Sequence, residues 1–276
     1  MKKMIVYGLI MLVLVLATEL VKAEQTTLQI EGSTTVGPIA DAFAEVFKKD
    51  NPGLSISVNK TGSGNGAAAL IDGRCDIAIL SRFMKDKEFS MAVEKSVYPV
   101  AHVVAMDGVC IVVHPSNPIK ELTTAQIRDI YKGAITNWNQ VGGIDMAIIP
   151  ISRDTSSGTY ETFHELVMNK QEMGSKVEYV NANPQAHARV RTTPGAIGYV
   201  GVGFLDGNVK TVVVDGVTPS RRTIANGTYP IARPLFMFTN GYPKLGSVTH
   251  QYCTFYLSEV GQEIVEAKGF IPLTNY

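Results

Sequence analysis

The sequence predicts an α/β fold in which mostly parallel sheets are flanked by helices. Short, wholly apolar runs alternate along the chain with segments whose apolar residues recur at helical spacing, the pattern of strands joined by crossover helices. Three turns rich in glycine and hydroxyl side chains each lead into one of those helices. Two further apolar runs, each punctuated by two prolines, divide the chain and read as passages between two bodies of structure.

At the N-terminus, Lys2 and Lys3 precede an apolar run from Met4 to Ala17, and Val21-Lys22-Ala23 puts apolar and small residues at the −3 and −1 positions of a cut. This is a secretory leader with cleavage after Ala23. The run is shorter than the roughly 20 residues of a spanning helix and is broken by Thr18-Glu19. No cysteine sits near the cut to accept a lipid, so the expected location is the periplasm. "TTLQI" and "LSISV" then read as strands around a helix from Val36 to Lys49, with Ile39, Ala40, Phe43, Val46 and Phe47 on its apolar face. "CDIAIL", "VCIVVH", "AIIPIS" and "VVVD" continue the strand series, and "TTAQIRDIYKG" is a helix stopped by Gly133. No internal repeat or low-complexity tract interrupts the series.

The first passage is "AMDGVCIVVHPSNP", with Pro115 and Pro118, and the second is "YPIARPLFMFTN", with Pro230 and Pro234. Proline confines the second to an edge or a connecting strand. A chain that leaves one body at the first passage and returns at the second makes two lobes joined by two hinge strands. The lobes expected are residues 24–108 with 231–276, and residues 109–230.

Composition excludes several classes. The leader takes Lys2, Lys3, Lys22 and Glu19 from 25 basic and 25 acidic residues, leaving a mature chain near −2. Such a chain has no field for gathering nucleic acid, so any anion site is local. Cys75, Cys110 and Cys253 lack metal-ligand spacing; either one pair oxidises or all three are small buried residues. The five histidines form no pair at metal spacing, so neither metal nor other cofactor is expected. Ser157 lacks the G-x-S-x-G elbow of a hydrolase, which argues against an enzyme. Trp138 reads as packing, and "NANPQAHARVRTTPG" as a solvated face.

The three turns are "EGSTTVGPIADAF", "TGSGNGAAAL" and "RDTSSGTYETF". Ser33, Thr34 or Thr35 can cap a helix with Pro38 in its first turn. Gly62, Gly64 and Gly66 allow close backbone approach, and Ser63 adds a hydroxyl. Ser157 and Thr159 stand at a helix start, where unpaired N–H groups and the helix dipole favour an anion. Arg153 can add a bidentate, charge-assisted pair. One such turn is what any helix cap looks like; three with an arginine point to an oxyanion.

"GSTT…AF", "GSGNG", Ser81-Arg82, "ITNWNQVGG", "RDTSSGTYETF", "GAIGYVGVGFL", "YPIARPLF" and "KGFIPL" together, in order over the mature chain, resemble the phosphate-binding proteins of bacterial phosphate ABC transporters (PstS). The resemblance implies a two-lobed periplasmic-binding-protein fold (type II) that closes on inorganic phosphate and docks, as a monomer, on a membrane permease. It places Ser33, Thr34, Thr35 and Ser63 in the first jaw and Arg153, Ser157, Gly158 and Thr159 in the second. Better-known members carry a carboxylate after the strand equivalent to "CDIAILSR", where it accepts the proton of hydrogen phosphate. Arg82 stands there instead, either as a second cationic ligand or as a surface residue paired with Asp86 or Glu88. With no such acceptor, sulfate, molybdate or another tetrahedral oxyanion becomes an alternative ligand. An exported phosphatase or phosphate sensor is the alternative from another class.

Overall fold

The computed structural model describes residues 27–274; the leader expected over residues 1–23 lies outside the described residues. In chain order the elements are β1 (Thr27–Gly32), α1 (Gly37–Asp50), β2 (Ser55–Asn59), α2 (Ser63–Ile71), β3 (Ile77–Leu80), α3 (Asp86–Glu94) and β4 (Pro99–Val113). There follow β5 (Glu121–Leu122), α4 (Thr124–Lys132), β6 (Ile149–Arg153), α5 (Gly158–Leu166), β7 (Glu178–Val180), α6 (Asn183–Thr192) and β8 (Ala196–Gly201). The chain ends with β9 (Lys210–Thr211), β10 (Val213–Val214), α7 (Arg221–Ala225), β11 (Ala232–Asn240), α8 (Val248–Thr254) and α9 (Glu259–Ala267).

Eight strands form one continuous path, β2-β1-β3-β11-β4-β8-β6-β7, with β9 added beside β4; β5 and β10 pair separately. Within the first wing β1 runs parallel to β2 and β3. Within the second β6 runs parallel to β7 and β8. The strands between the wings are antiparallel, β11 to β3 and β4 and β4 to β8, and the short β9 also runs antiparallel to β4. Parallel wings require crossover helices, which is why strand and helix alternate in sequence.

β4 is 15 residues long because it serves both wings. Its residues 99–108 pair with β11, and Val109–Val113 pair with β8. One apolar cluster gathers Leu28, Ile30, Phe43 and Ile79 with Val104, Ala105, Leu235 and Met237. Another gathers Val109, Ile111, Trp138, Phe163 and Tyr199 with Ile231. The change from one to the other therefore falls between Ala105 and Val109 on β4 and between Ile231, just before β11, and Leu235 within it. β11 is an interior strand, not an edge. It tolerates Pro234 because the register shifts immediately afterwards, between Leu235 and Phe236, and a bulge needs fewer ladder bonds.

The helices that flank the wings follow their apolar stripes. α1 buries Ile39, Ala40, Phe43 and Phe47, and Phe43 and Phe47 meet Tyr252 and Phe255 edge-to-face. α4 starts at a capping box between Thr123 and Gln126 and stops at Gly133 in the left-handed conformation. Trp138 is fully buried, its indole N–H donating to the Gly195 carbonyl at 3.0 Å. Cys75, Cys110 and Cys253 are all unpaired.

Candidate functional site

The three hydroxyl-rich turns converge where the wings meet. β1 ends into Ser33, whose amide donates to the Ile79 carbonyl of β3 at 2.7 Å. The Ser33 hydroxyl accepts from the amides of Thr35 and Val36 at 3.0 and 3.2 Å, holding the turn ahead of α1. Ser63 is the first residue of α2, and its hydroxyl accepts from the Ser81 amide at 3.1 Å while lying 3.3 Å from the Ser81 hydroxyl. Gly62, at φ 107°, permits this turn, and a side chain there would strike Ser156.

The opposing turn runs from β6 to α5. Ser157 caps α5, accepting from the amides of Thr159 and Tyr160. A serine that accepts in this way still has its own proton to donate. Arg153, the last residue of β6, is fixed at its backbone by an N–H to the Tyr199 hydroxyl at 3.1 Å. Its guanidinium donates to the carbonyls of Val180 and Asn181 at 3.3 and 2.7 Å and to Thr34 Oγ1 at 3.1 Å. Arg153 is 1% exposed, yet its Nη1 has no partner. Burial pulls this guanidinium down to about 10; it stays charged at neutral pH.

The two turns touch directly. The Gly64 amide donates to the Ser156 carbonyl at 2.9 Å, Thr35 Oγ1 lies 3.0 Å from Thr159 Oγ1, and Lys85 pairs with Glu161 at 2.6 Å across the mouth. Gly158 is the closest approach: a Cβ there would fall 2.5 Å from Ser63 Oγ and 2.6 Å from Ser81 Oγ. Gly158→Ala is therefore expected to hold the jaws apart and weaken oxyanion binding about 10- to 100-fold, the effect of ~1–3 kcal/mol of overpacking. Calorimetric titration checks this; an unaltered affinity would mean that Ser63 and Ser81 give way.

Behind the turns lie groups that sequence reasoning missed. Asn183, fully buried at the start of α6, donates to Thr35 Oγ1 at 2.9 Å. The stretch read as a solvated face thus turns its first helical residue inward, and the Asn-Pro pair that opens the helix was the available signal. Arg233 on β11 pairs with Asp107 on β4 at 2.7 Å and also reaches Thr159 Oγ1 at 3.0 Å. Burial pushes the Asp107 carboxyl up, with Arg233 opposing. A lone charge in each of two apolar strands was the signal here, since buried charges need partners.

Arg82 takes a different course from the other candidates. Its Nη1 and Nη2 fork onto Glu88 at 2.8 and 2.7 Å, and its buried Nε has no partner. It lines a separate cavity of about 500 Å³ with Phe83, Lys85, Glu161, His164 and Lys170. Among the carboxylates around these turns, Asp107 pairs with Arg233, Glu88 pairs with Arg82, Asp154 accepts from the Ser156 amide and hydroxyl, and Glu31 accepts from Thr61 Oγ1. The arrangement offers hydroxyl protons and an unspent guanidinium edge in a dry place, the chemistry for holding an oxyanion.

The chain matches the PBP superfamily domain over residues 17–260. It is 32% identical over 251 residues to the phosphate-binding protein PstS of Bacillus subtilis, covering 90% of this chain and 81% of that one. It is 31% identical to the PstS of Borreliella burgdorferi, over 99% of both chains. A putative phosphate ABC transporter substrate-binding protein from Clostridium perfringens, solved with bound phosphate, superposes with a TM-score of 0.82 at 33% identity, over 90% of this chain and all of that one.

Proposed function

The chain belongs to the PBP superfamily and, within it, to the PstS phosphate-binding proteins, and on that premise we propose that it captures inorganic phosphate between two lobes and delivers it to an ABC-type membrane permease. Arg153 carries the proposal: a buried guanidinium with one free edge, facing the first jaw through Thr34. In this reading Ser33, Thr34, Thr35, Ser63, Ser157, Gly158 and Thr159 complete the phosphate shell, and Arg82 guards the mouth with Glu88.

Residues 24–108 with 231–276 act as one lobe and residues 109–230 as the other, closing about β4 and β11. Phosphate favours the closed state through the contacts it makes with both jaws at once. The protein works as a periplasmic monomer after removal of residues 1–23. In this reading it acts as a receptor, as the PstS relatives are named phosphate-binding proteins.

One observation favours a broader reading. A phosphate that keeps a proton needs an acceptor, and the nearby carboxylates already accept from other groups. Sulfate would then meet no repelling lone pair. Calorimetric titration of the mature chain, stripped of anion, with phosphate and then with sulfate tests both readings. One-to-one phosphate binding is the expected result; displacement by equimolar sulfate would make the ligand a general tetrahedral oxyanion, and binding of neither would overturn the proposal.

A further inference from the structure

Arg82 follows β3 on the first wing, with a side chain only 9% exposed. Its Nη1 donates to the Phe83 carbonyl at 2.9 Å and to Glu88 Oε2 at 2.8 Å, and its Nη2 donates to Glu88 Oε1 at 2.7 Å. Glu88, in the first turn of α3, also accepts from the Lys85 amide at 2.9 Å through Oε2. One carboxylate thus ties the arginine to the backbone of Lys85. A Cβ on Gly64 would fall 3.9 Å from Arg82 Nη2, so this knot lies beside the Gly64–Ser156 contact between the turns.

From that fixed backbone the Lys85 side chain crosses to the second wing. Its Nζ donates to Glu161 Oε1 at 2.6 Å, a contact between residues 76 apart in sequence. Glu161 stands in the first turn of α5, the helix that Ser157 caps, so the second jaw sets its place. Lys170, on the same cavity, pairs with Glu165 at 3.5 Å. The Lys85 and Glu161 side chains are 47% and 23% exposed. An ion pair this open contributes little, and its worth depends on how much side-chain freedom is lost in making it. The Arg82–Glu88 fork reduces that loss by fixing where the lysine starts. Separating the wings breaks the pair, so its effect falls on opening.

We propose that Arg82 is a positioning residue for ligand release: through Glu88 it sets Lys85 where it latches onto Glu161, and the latch slows the opening that lets the anion out. This rests on the phosphate reading above. An arginine that spends both Nη groups on Glu88 has no fork left for the anion, so Arg82 acts on release without joining the phosphate shell.

The test is the release rate of radiolabelled inorganic phosphate chased with unlabelled phosphate. It compares the wild type, Arg82→Lys, Lys85→Met/Glu161→Gln, and all three changes together. Lys85→Met/Glu161→Gln leaves the net charge unchanged and should release phosphate about 3-fold faster, the scale of one open ion pair. Association should change less than about twofold, because the pair forms only as the wings meet. The faster release should fade in about 1 M salt, where the screening length is about 3 Å. Arg82→Lys keeps the charge but loses the fork onto Glu88. It should speed release about 2-fold in the wild type and add nothing once Lys85 and Glu161 are neutral. A merely structural role would speed release equally in both backgrounds, and that result would overturn the assignment. So would a release rate unmoved by Lys85→Met/Glu161→Gln or by Arg82→Lys. An affinity loss beyond about 10-fold from Arg82→Lys in both backgrounds would make Arg82 a ligand instead. A wild type that binds phosphate and fails these comparisons sinks only the latch; one that binds no phosphate sinks the phosphate reading itself.

Discussion

Arg153→Met is expected to weaken phosphate binding about 10³-fold while the ligand-free protein unfolds at the same or a higher temperature. Truncating one partner of a buried, hydrogen-bonded charge pair commonly costs about 2–5 kcal/mol of affinity, and a thousandfold loss corresponds to about 4 kcal/mol. The opposite sign in the empty protein follows from burial. Arg153 is 1% exposed with Nη1 unpartnered, so the charged group costs the ligand-free fold free energy that methionine would not. Its folded value, pulled down to about 10 by burial, lies below the ordinary arginine range. The cost is therefore present in full below about 10 and is relieved as pH rises from there toward the unfolded value. A bound anion removes the same cost at neutral pH. Thermal scans separate the effects: at a phosphate concentration about 1,000 times Kd the wild type gains ~4 kcal/mol, a shift of roughly 10 °C for a chain of this size. The variant should show almost none. A variant that retained the shift would remove Arg153 from the site.

The architecture was legible because parallel wings impose a strong pattern. "CDIAIL" and "VCIVVH" read as buried strands, and β3 and the second half of β4 are fully buried. The proline-punctuated runs fall on β4 and β11, the strands that join the wings, although β11 is interior and survives Pro234 through a bulge. The turns were legible because helix starts need hydroxyls, so Ser157 is found capping α5. The second rank of residues was not. Whether Asn183 faces water or a threonine depends on the angle between α6 and the jaw, and Arg233 meets Asp107 only through strand register between residues far apart in sequence. Ser81 was quoted with Arg82, but only the fold brings its hydroxyl against Ser63.

The largest expected loss of stability is that of Asp107→Ala, about 3–5 kcal/mol, which lowers the melting temperature by roughly 10 °C. The variant would leave the Arg233 guanidinium buried at 4% exposure without its counter-charge. It would also strip the Val202 amide of the carboxylate that accepts it at 2.9 Å. The cavity left by three heavy atoms adds to this, in a place where β4 and β11 have little room to relax. The contrast with Asp107→Leu/Arg233→Met makes the measurement informative. Replacing both charges with apolar groups removes the orphaned cation, so the double variant should unfold within about 2 kcal/mol of the wild type. If it does, the pair contributes little net stability and its place between the wings is explained by the hydrogen bond from Arg233 to Thr159. If the double variant is as unstable as Asp107→Ala, the pair is a structural necessity of the crossing strands, and its reach into the site is a secondary consequence of where the strands cross.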